Sequence, residues 1–321
     1  MFTLGNLEGP ATTSNNIVDK WAALKQPPSL LGEFRKVNID GVSLANNHML
    51  DYGPEGLAET IEILRKNKIK YTGAGSNLEE ALSPIEFKVD STKVRIYSIA
   101  TTLPPLFAAN EMKPGIAPMK VMCSYYFDGA GIQEQPGTPP LTFCEADEKD
   151  MKRIKKLVKK SKKEGFLVVV TFHWGMPYQY NIMDYQRGIA HELIDCGADL
   201  IIGYHPHVLQ QIEKYKEKFI FYSLGNFIWQ PQGKWMSKND KYNFWPPQYG
   251  EWAMSGDSII LEVEVDSEKF SKAKMIPVII RDGIPALLTD ETNFSHVLFK
   301  EKKRFFGELK ISFDKGEIFI S

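Results

Sequence analysis

Two histidines separated by one proline, His205-Pro206-His207, are the clearest chemical signal in the sequence. They follow residues 200–203, an apolar run that is typical of a buried strand. Residues i and i+2 of an extended chain point to the same face, and a proline disfavours helical backbone at the residue before it. We therefore expect the two imidazoles to be aligned on one side of the chain, as a pair of metal ligands would be.

Further candidate ligands stand where other predicted strands end. Asn47 and His48 follow the run 41–45, and His173 follows the run 166–172. Because ligands gather at the carboxyl ends of strands in α/β sheets, we expect these residues to converge at one edge of a sheet. Imidazole, carboxamide and carboxylate ligands suit Mn, Fe, Zn, Co or Ni, and ligand type does not choose among these ions.

Alternation of short apolar runs with helical patterns predicts an α/β fold that positions these residues. The predicted strands are 41–45, 69–72, 85–89, 94–100, 166–172, 200–203, 219–224, 259–265 and 276–281. The predicted helices are about 54–67, 147–164 and 184–196. We expect one domain over 1–290, with an insertion at about 102–146, an aromatic loop at about 228–252, and a tail over 291–321 packed on or extending the domain.

Composition excludes several classes of protein. The formal net charge of -1 gives no reason to expect a nucleic-acid partner. Cys123, Cys144 and Cys196 are odd in number and lack metal-ligand spacing, so we expect free thiols and, with them, a reducing compartment. No apolar run approaches the roughly 18 residues of a membrane span, and the first residues lack the pattern of a signal peptide. This chain alone therefore favours the cytoplasm, whereas an upstream anchor would place it at the cell envelope or outside the cell.

Six motifs carry a resemblance to a known family. They are Asn6-Leu7-Glu8-Gly9-Pro10, residues 43–53, Gly73-Ala74-Gly75, His173-Trp174-Gly175, residues 197–208, and residues 222–227. Together they resemble the bacterial capsule-synthesis CapA (poly-γ-glutamate capsule) family, a branch of the calcineurin-like metallophosphoesterase superfamily. The resemblance implies a four-layer α/β/β/α sandwich around a centre of one or two divalent transition-metal ions.

The resemblance also implies roles for individual residues. The implied metal ligands are Glu8, Asn47, His173, His205 and His207. The implied catalytic pair is His48, as proton donor, and Asp51, which either orients His48 or simply begins the next loop. The expected substrate contacts are Asn6, Trp174, Tyr178, Tyr204 and Asn226.

The sequence departs from the family pattern in three places. The family opens with a strand that ends in Gly-Asp, whose aspartate is a ligand. Here Met1 stands only a few residues before Asn6, so we expect that strand to be missing and the first metal position to be weak or empty. The Trp-Gly motif continues as Met176-Pro177-Tyr178 where Glu-Tyr is usual, and Tyr204 replaces a commonly found histidine.

Two functions remain open from the sequence. The first is a metal-dependent hydrolase that cleaves a phosphoester or polymer linkage in capsule or poly-γ-glutamate biosynthesis. The second is a non-catalytic polymer-binding or assembly protein that keeps the fold. The expected partners are a polyanionic polymer, a phosphoester or another cell-envelope substrate, together with membrane proteins of capsule synthesis. Aromatic residues between 174 and 252 predict either a wall that grips a polymer or a hydrophobic lid or subunit contact.

Overall fold

The computed structural model describes residues 1–20, 22–228, 257–266, 269–281, 283–288, 306–307, 309–314 and 317–320. Its strands are β1 Leu4–Asn6, β2 Gly41–Ser43, β3 Lys70–Thr72, β4 Ala74–Gly75, β5 Ile85–Val89, β6 Thr92–Ala100, β7 Gly115–Ile116, β8 Val121–Tyr126, β9 Leu141–Ala146, β10 Phe166–His173, β11 Leu200–Tyr204, β12 Ile212–Tyr215, β13 Lys218–Phe221, β14 Asp257–Asp266, β15 Lys269–Arg281, β16 Ile284–Leu287, β17 Ile311–Asp314 and β18 Glu317–Ile320. Its α-helices are α1 Leu30–Glu33, α2 Gly53–Lys66, α3 Leu78–Ala81, α4 Gly129–Glu134, α5 Glu148–Lys163 and α6 Asp184–Asp195. The predicted mixed α/β class is confirmed.

A six-stranded sheet forms the centre of the fold, in the order β12-β13-β11-β10-β6-β5. Strands β6, β10, β11 and β13 run parallel, and the register aligns His173 with Tyr204. Strand β10 is apolar except at Thr171 and His173, because both of its faces are covered. Val168 and Val170 pack with the buried sides of α5 and α6, whereas Leu167 and Val169 pack with residues of β14, β15 and β18.

A second, smaller sheet carries the other candidate ligands. It has three parallel strands in the order β1-β2-β3, with Asn6 aligned to Ser43. The prediction that all ligands lie at the edge of one sheet is therefore wrong, because β2 belongs to this sheet and β10 and β11 to the six-stranded one. The prediction that the opening strand is missing is wrong, because β1 leads into Asn6 and pairs with β2. This strand ends in Gly5-Asn6 and not in Gly-Asp.

The predicted insertion at about 102–146 contains regular structure. Strands β8 and β9 form an antiparallel hairpin, with α4 in the connection between them. Cys123 and Cys144 are directly opposite each other in this hairpin and form a disulfide, while Cys196 is free. The prediction of free thiols is therefore wrong for the first two cysteines, because strand pairing joins positions that look unrelated in sequence. Its inference of a reducing compartment loses its basis.

Several other predicted elements are found close to their expected bounds. In α5 the buried stripe is Met151, Ile154 and Val158, as its amphipathic pattern indicates. Among the described residues, none of the helices combines the length and apolar character needed to cross a bilayer. The aromatic loop residues Trp229, Trp235, Tyr242, Phe244, Trp245 and Trp252 lie outside the described residues, as does most of the tail.

Candidate metal centre

Residues from the ends of the two sheets meet at one place. Glu8 follows β1 by two residues, and His173 is the last residue of β10. His205 comes directly after β11. One ligand atom each of Glu8, His173 and His205 lie within 4.8 Å of one another. Asn47, which follows β2, brings its Oδ1 to 2.9 Å from His173 Nε2. Four of the five predicted ligands are thereby collected around one point.

The two central histidines have the properties of metal ligands. Both ring nitrogens of His205 and the Nδ1 of His173 are buried without a hydrogen-bond partner among the described residues. A buried polar group left unpaired costs about 1–3 kcal/mol, so such atoms need an explanation. Burial, followed by the neighbouring imidazoles, holds the pKa of both His173 and His205 well below the ordinary histidine value. The rings are therefore neutral at neutral pH, which is the form that binds metal.

The fit extends to the remaining donors. Glu8 Oε1 lies 3.9 Å from His173 Nε2 and 3.7 Å from His207 Nε2. Because a carboxylate, a carboxamide and imidazoles converge in a largely buried position, the residues present fit a divalent transition ion. Small side-chain rotations would be enough to bring the donors to coordination distances of about 2.0–2.2 Å.

The backbone at the His-Pro-His motif differs from the expected extended conformation. His205 has a φ of 94° and His207 a φ of 58°, both in the left-handed region that residues with a Cβ rarely adopt. The rings are not aligned on one face, because their centroids are 5.9 Å apart and tilted by 53°. Such backbone costs of the order of 1–3 kcal/mol per residue and clusters at functional sites. The prediction of an extended pair is wrong, although both imidazoles reach the site.

His48 and Asp51 form a hydrogen-bonded pair beside the cluster. Asp51 is fully buried, and its Oδ2 lies 2.6 Å from His48 Nδ1. The backbone N–H of Leu24 donates to the same carboxylate oxygen at 2.8 Å. Asp51 thus fixes the orientation of the His48 ring, in agreement with the first of the two roles considered for it.

Lys20 is a site residue that sequence reasoning missed. Its Nζ donates to Asp51 Oδ1 and to the carbonyl oxygen of Asn47, at 2.6 Å each, and lies 3.1 Å from His48 Nδ1. Burial lowers the pKa of Lys20, and Asp51 opposes that effect. Lys20 lies in a segment without regular secondary structure, where no spacing pattern could have singled it out.

Two asparagines connect the strand ends. Asn46 is fully buried; its Nδ2 donates to the carbonyl oxygen of Leu7 at 2.8 Å, and its Oδ1 accepts from the N–H of His48 at 3.1 Å. The Nδ2 of Asn6 donates to Glu8 Oε2 at 3.4 Å. Asn6, predicted as a substrate contact, therefore lies against Glu8 and orients its carboxylate.

Two further predicted contacts lie at His207. Asn226 Oδ1 is 2.8 Å from His207 Nδ1, and the Tyr178 ring stacks on the His207 imidazole with centroids 5.6 Å apart. Burial and the charge of Glu8 raise the pKa of Tyr178 to about 12, so its hydroxyl stays protonated. Tyr204 is partly buried at the end of β11, and burial raises its pKa as well.

Trp174 does not contribute to a substrate-binding wall. Its ring is completely buried and stacks on Phe172, with centroids 4.6 Å apart. Its Nε1 donates to the carbonyl oxygen of Tyr222 at 2.9 Å. Both atoms lie close to Gly203, where a Cβ would overlap them. The predicted contact of Trp174 with substrate is therefore wrong, because this side chain is buried in the core, where it holds the end of β10 in place.

The family model of the bacterial capsule synthesis protein PGA_cap matches residues 2–231, which include every candidate ligand. The chain belongs to this family. Within the PGA_cap family, the chain is 27% identical over 303 residues to the "PGA biosynthesis protein CapA" of Bacillus subtilis (strain 168), covering 94% of this chain and 67% of the relative. It is 26% identical over 321 residues to the "Capsule biosynthesis protein CapA" of Bacillus anthracis, covering 99% of this chain and 65% of that relative.

A further relative comes from Mycobacterium tuberculosis (strain CDC 1551 / Oshkosh). It is a "Probable polyglutamine synthesis accessory protein", 27% identical over 228 residues, covering 70% of this chain and 54% of that protein. The chain therefore spans about two thirds of the length of the two Bacillus relatives and about half of this one.

Proposed function

We propose that the chain is a metal-dependent hydrolase of capsule or poly-γ-glutamate biosynthesis that cleaves a phosphoester or a linkage of the polymer. One observation carries the proposal: beside Glu8 and Asn47, the buried His173 Nδ1 and both ring nitrogens of the buried His205 have no hydrogen-bond partner among the described residues. The names of the Bacillus relatives support the biosynthetic context. The proposal extends to a polyanionic polymer or cell-envelope compound as substrate and to membrane proteins of capsule synthesis as partners.

The proposal includes a four-layer α/β/β/α sandwich. It is supported by the central sheet, which has α5 and α6 on one face and the strands β14, β15 and β18 on the other. The catalytic centre would then lie where the carboxyl ends of β10 and β11 meet those of β1 and β2.

The chain's own residues would divide the work of hydrolysis. A bound divalent ion would activate water and polarise the attacked group. Asp51 holds the Nδ1 side of the His48 ring, which leaves Nε2 to transfer a proton to the leaving atom. That atom is the ester oxygen when a P–O bond breaks and the amide nitrogen when a C–N bond of the polymer breaks. Lys20 keeps the Asp51 carboxylate in place from its other oxygen.

Hydrolysis assays with metal-loaded protein test the proposal. Chelator-treated protein would be reloaded with Mn²⁺, Zn²⁺ or Co²⁺ and given p-nitrophenyl phosphate, bis(p-nitrophenyl) phosphate and poly-γ-glutamate. We expect metal-dependent cleavage of one of them, with kcat reduced about 10²–10⁴-fold in His48→Ala. The matched control is His191→Ala, since His191 bonds Glu213 and stacks on Tyr215 outside the centre.

Two results would contradict catalysis. One is full activity in His48→Ala. The other is a metal-loaded chain that binds poly-γ-glutamate but cleaves none of the three compounds, which would favour the non-catalytic assembly role.

A further inference from the structure

The solvent-facing side of α5 is a continuous row of lysines. At 3.6 residues per turn, six positions of this helix fall within one arc of about 100° around its axis. Each of the six is an exposed lysine; together they form the lysine stripe, which consists of Lys149, Lys152, Lys156, Lys159, Lys160 and Lys163. The buried residues Met151, Ile154 and Val158 lie on the opposite side of the helix.

The positive charge of the stripe is only weakly neutralised. Lys152 pairs with Glu148 at 2.6 Å, and Lys160 lies 3.9 Å from Glu164. The other four lysines of the stripe form no ion pair with any residue that the structure describes. Like charges three or four residues apart weaken a helix, and surface helices ordinarily mix the two signs. The chain as a whole has 39 basic and 40 acidic residues, so the stripe is a local concentration of charge.

The positive surface continues past the carboxyl end of α5. Lys162 and Lys218 donate to the same carboxylate, that of Asp199, at 2.6 and 2.7 Å. Lys216 pairs with Asp195. These five residues line one cavity, in which three ammonium groups share two carboxylates. The cavity therefore adds to the positive charge of the stripe.

The stripe runs toward the metal centre. Helix α5 is followed after two residues by β10, so the helix and the strand run in opposite directions. Because β10 ends in His173, the amino end of α5 lies toward the edge of the sheet that carries the centre. The 16 residues of α5 cover about 24 Å. A polymer lying along the stripe would therefore lead from the far edge of the sheet toward the centre.

The residue types of the stripe favour a polycarboxylate over a nucleic acid. Arginine, whose planar fork matches a phosphate group, is absent from the stripe. Aromatic side chains, on which the bases of single-stranded nucleic acids stack, are absent from it as well. Poly-γ-glutamate has a free carboxylate on every residue, which complements a row of lysines whose Cβ atoms are about 5–6 Å apart.

We infer that the lysine stripe of α5 is a binding surface for a polycarboxylate chain, which it holds by charge and directs toward the metal centre. The choice of poly-γ-glutamate as that chain rests on the proposed function. Binding itself requires neither a metal ion nor hydrolysis. Because the six charges are equivalent, they impose no fixed register on the polymer.

Fluorescence anisotropy of labelled poly-γ-glutamate with chelator-treated protein in 0.15 M salt tests the inference without metal-dependent cleavage. The triple variant Lys149→Gln, Lys156→Gln, Lys163→Gln should bind about tenfold more weakly, because three exposed ion contacts are lost. Glutamine has nearly the helix propensity of lysine, so α5 should stay folded. The affinity of this variant should also fall less steeply with added salt, because fewer counterions are released on binding.

The matched control makes the same change of charge on other elements. It is the triple variant Lys36→Gln, Lys66→Gln, Lys88→Gln, whose three lysines are exposed and lie outside α5. It should bind as the unaltered chain does, because charges more than about 8 Å apart are largely screened at this salt concentration.

Three results would contradict the inference. Equal weakening in both triple variants would show that only the net charge matters, and an unaltered chain that binds no polymer would refute the surface outright. Tighter binding of a single-stranded oligonucleotide of equal charge, lost in the stripe variant, would overturn the choice of a polycarboxylate.

The same experiment separates this inference from the proposed function. A chain that binds poly-γ-glutamate through the stripe but cleaves nothing supports the inference and contradicts catalysis. A metal-dependent hydrolase whose stripe variant binds the polymer as tightly as the unaltered chain contradicts the inference alone.

Discussion

Gly203 occupies a position where the structure allows no side chain. A Cβ at this residue would overlap the carbonyl oxygen of Tyr222 and the Nε1 of Trp174. The first of these is a backbone atom, so the overlap can be relieved only if β11 moves away from residue 222. Gly203 is also two residues before His205, so any such movement displaces a candidate ligand.

We expect Gly203→Ala to lower the free energy of unfolding by about 2–6 kcal/mol. Overpacking a close contact costs about 1–3 kcal/mol. Separating Trp174 Nε1 from the Tyr222 carbonyl breaks a buried 2.9 Å hydrogen bond and leaves both groups unpaired, which costs about 1–3 kcal/mol more. A domain has only about 5–15 kcal/mol of stability to lose, so the change is a large one.

Urea unfolding of chelator-treated protein, followed by tryptophan fluorescence, would measure this loss. The matched control is Gly188→Ala in α6, where an added Cβ meets nothing within 4 Å. Because alanine is favoured over glycine in a helix, Gly188→Ala should raise stability by about 0.8–1 kcal/mol. If Gly203→Ala changes the free energy of unfolding by less than about 0.5 kcal/mol, the size of an ordinary surface substitution, the predicted overlap at Gly203 is wrong.

Three further predictions concern other parts of the chain. Lys20→Met should lower stability by about 3 kcal/mol in denaturant unfolding, because the buried Asp51 carboxylate loses its positively charged partner. Lys20→Arg keeps the charge and should lose less stability. An unchanged unfolding midpoint in Lys20→Met would contradict this. Replacing Cys123 and Cys144 by serine should lower stability by about 3 kcal/mol, because the unfolded chain loses a cross-link that spans 21 residues. Proteolysis between the two positions should become faster, and equal digestion rates would argue against the disulfide. In metal-free protein, stability should fall by about 1.4 kcal/mol per pH unit for each of His173 and His205 as the pH drops below about 6.5. The reason is that these two rings have a lower pKa when buried in the folded chain, so protonation favours the unfolded chain. A flat profile between pH 6.5 and 5.5 would contradict the burial of neutral imidazoles.

Local patterns in the sequence predicted the elements that carry the site. The run 166–172 is apolar at every position except Thr171, and it forms the doubly covered strand β10, which ends in His173. The buried stripe of α5 follows from helical spacing alone. Such features depend on neighbours within a few residues, so a single sequence contains them.

Features that depend on distant neighbours could not be predicted in this way. The sequence does not show that β2 and β10 lie in different sheets, because the residue pattern of a short strand does not determine which strand it pairs with. The pairing of Cys123 with Cys144 depends on hairpin register for the same reason. Pro206 disfavours the helical region at His205, but this restriction does not predict the left-handed backbone that His205 adopts in the turn after β11.

Trp174 shows a further limit of composition. Its position in an aromatic-rich segment predicted a surface that contacts a polymer or another subunit. In the structure it packs instead against Phe172, Tyr222 and the backbone of Gly203. The close approach of the Trp174 indole to Gly203 depends on the absence of a Cβ there, and residue spacing does not predict it.

Anomalous diffraction from crystals of metal-loaded protein is the most direct test of the metal centre. With Mn²⁺, Zn²⁺ or Co²⁺ bound, we expect an anomalous peak at about 2.0–2.2 Å from a Glu8 carboxylate oxygen, Asn47 Oδ1 and one nitrogen each of His173 and His205. A saturated crystal with no peak between these four side chains, or with its peak elsewhere on the chain, would contradict it.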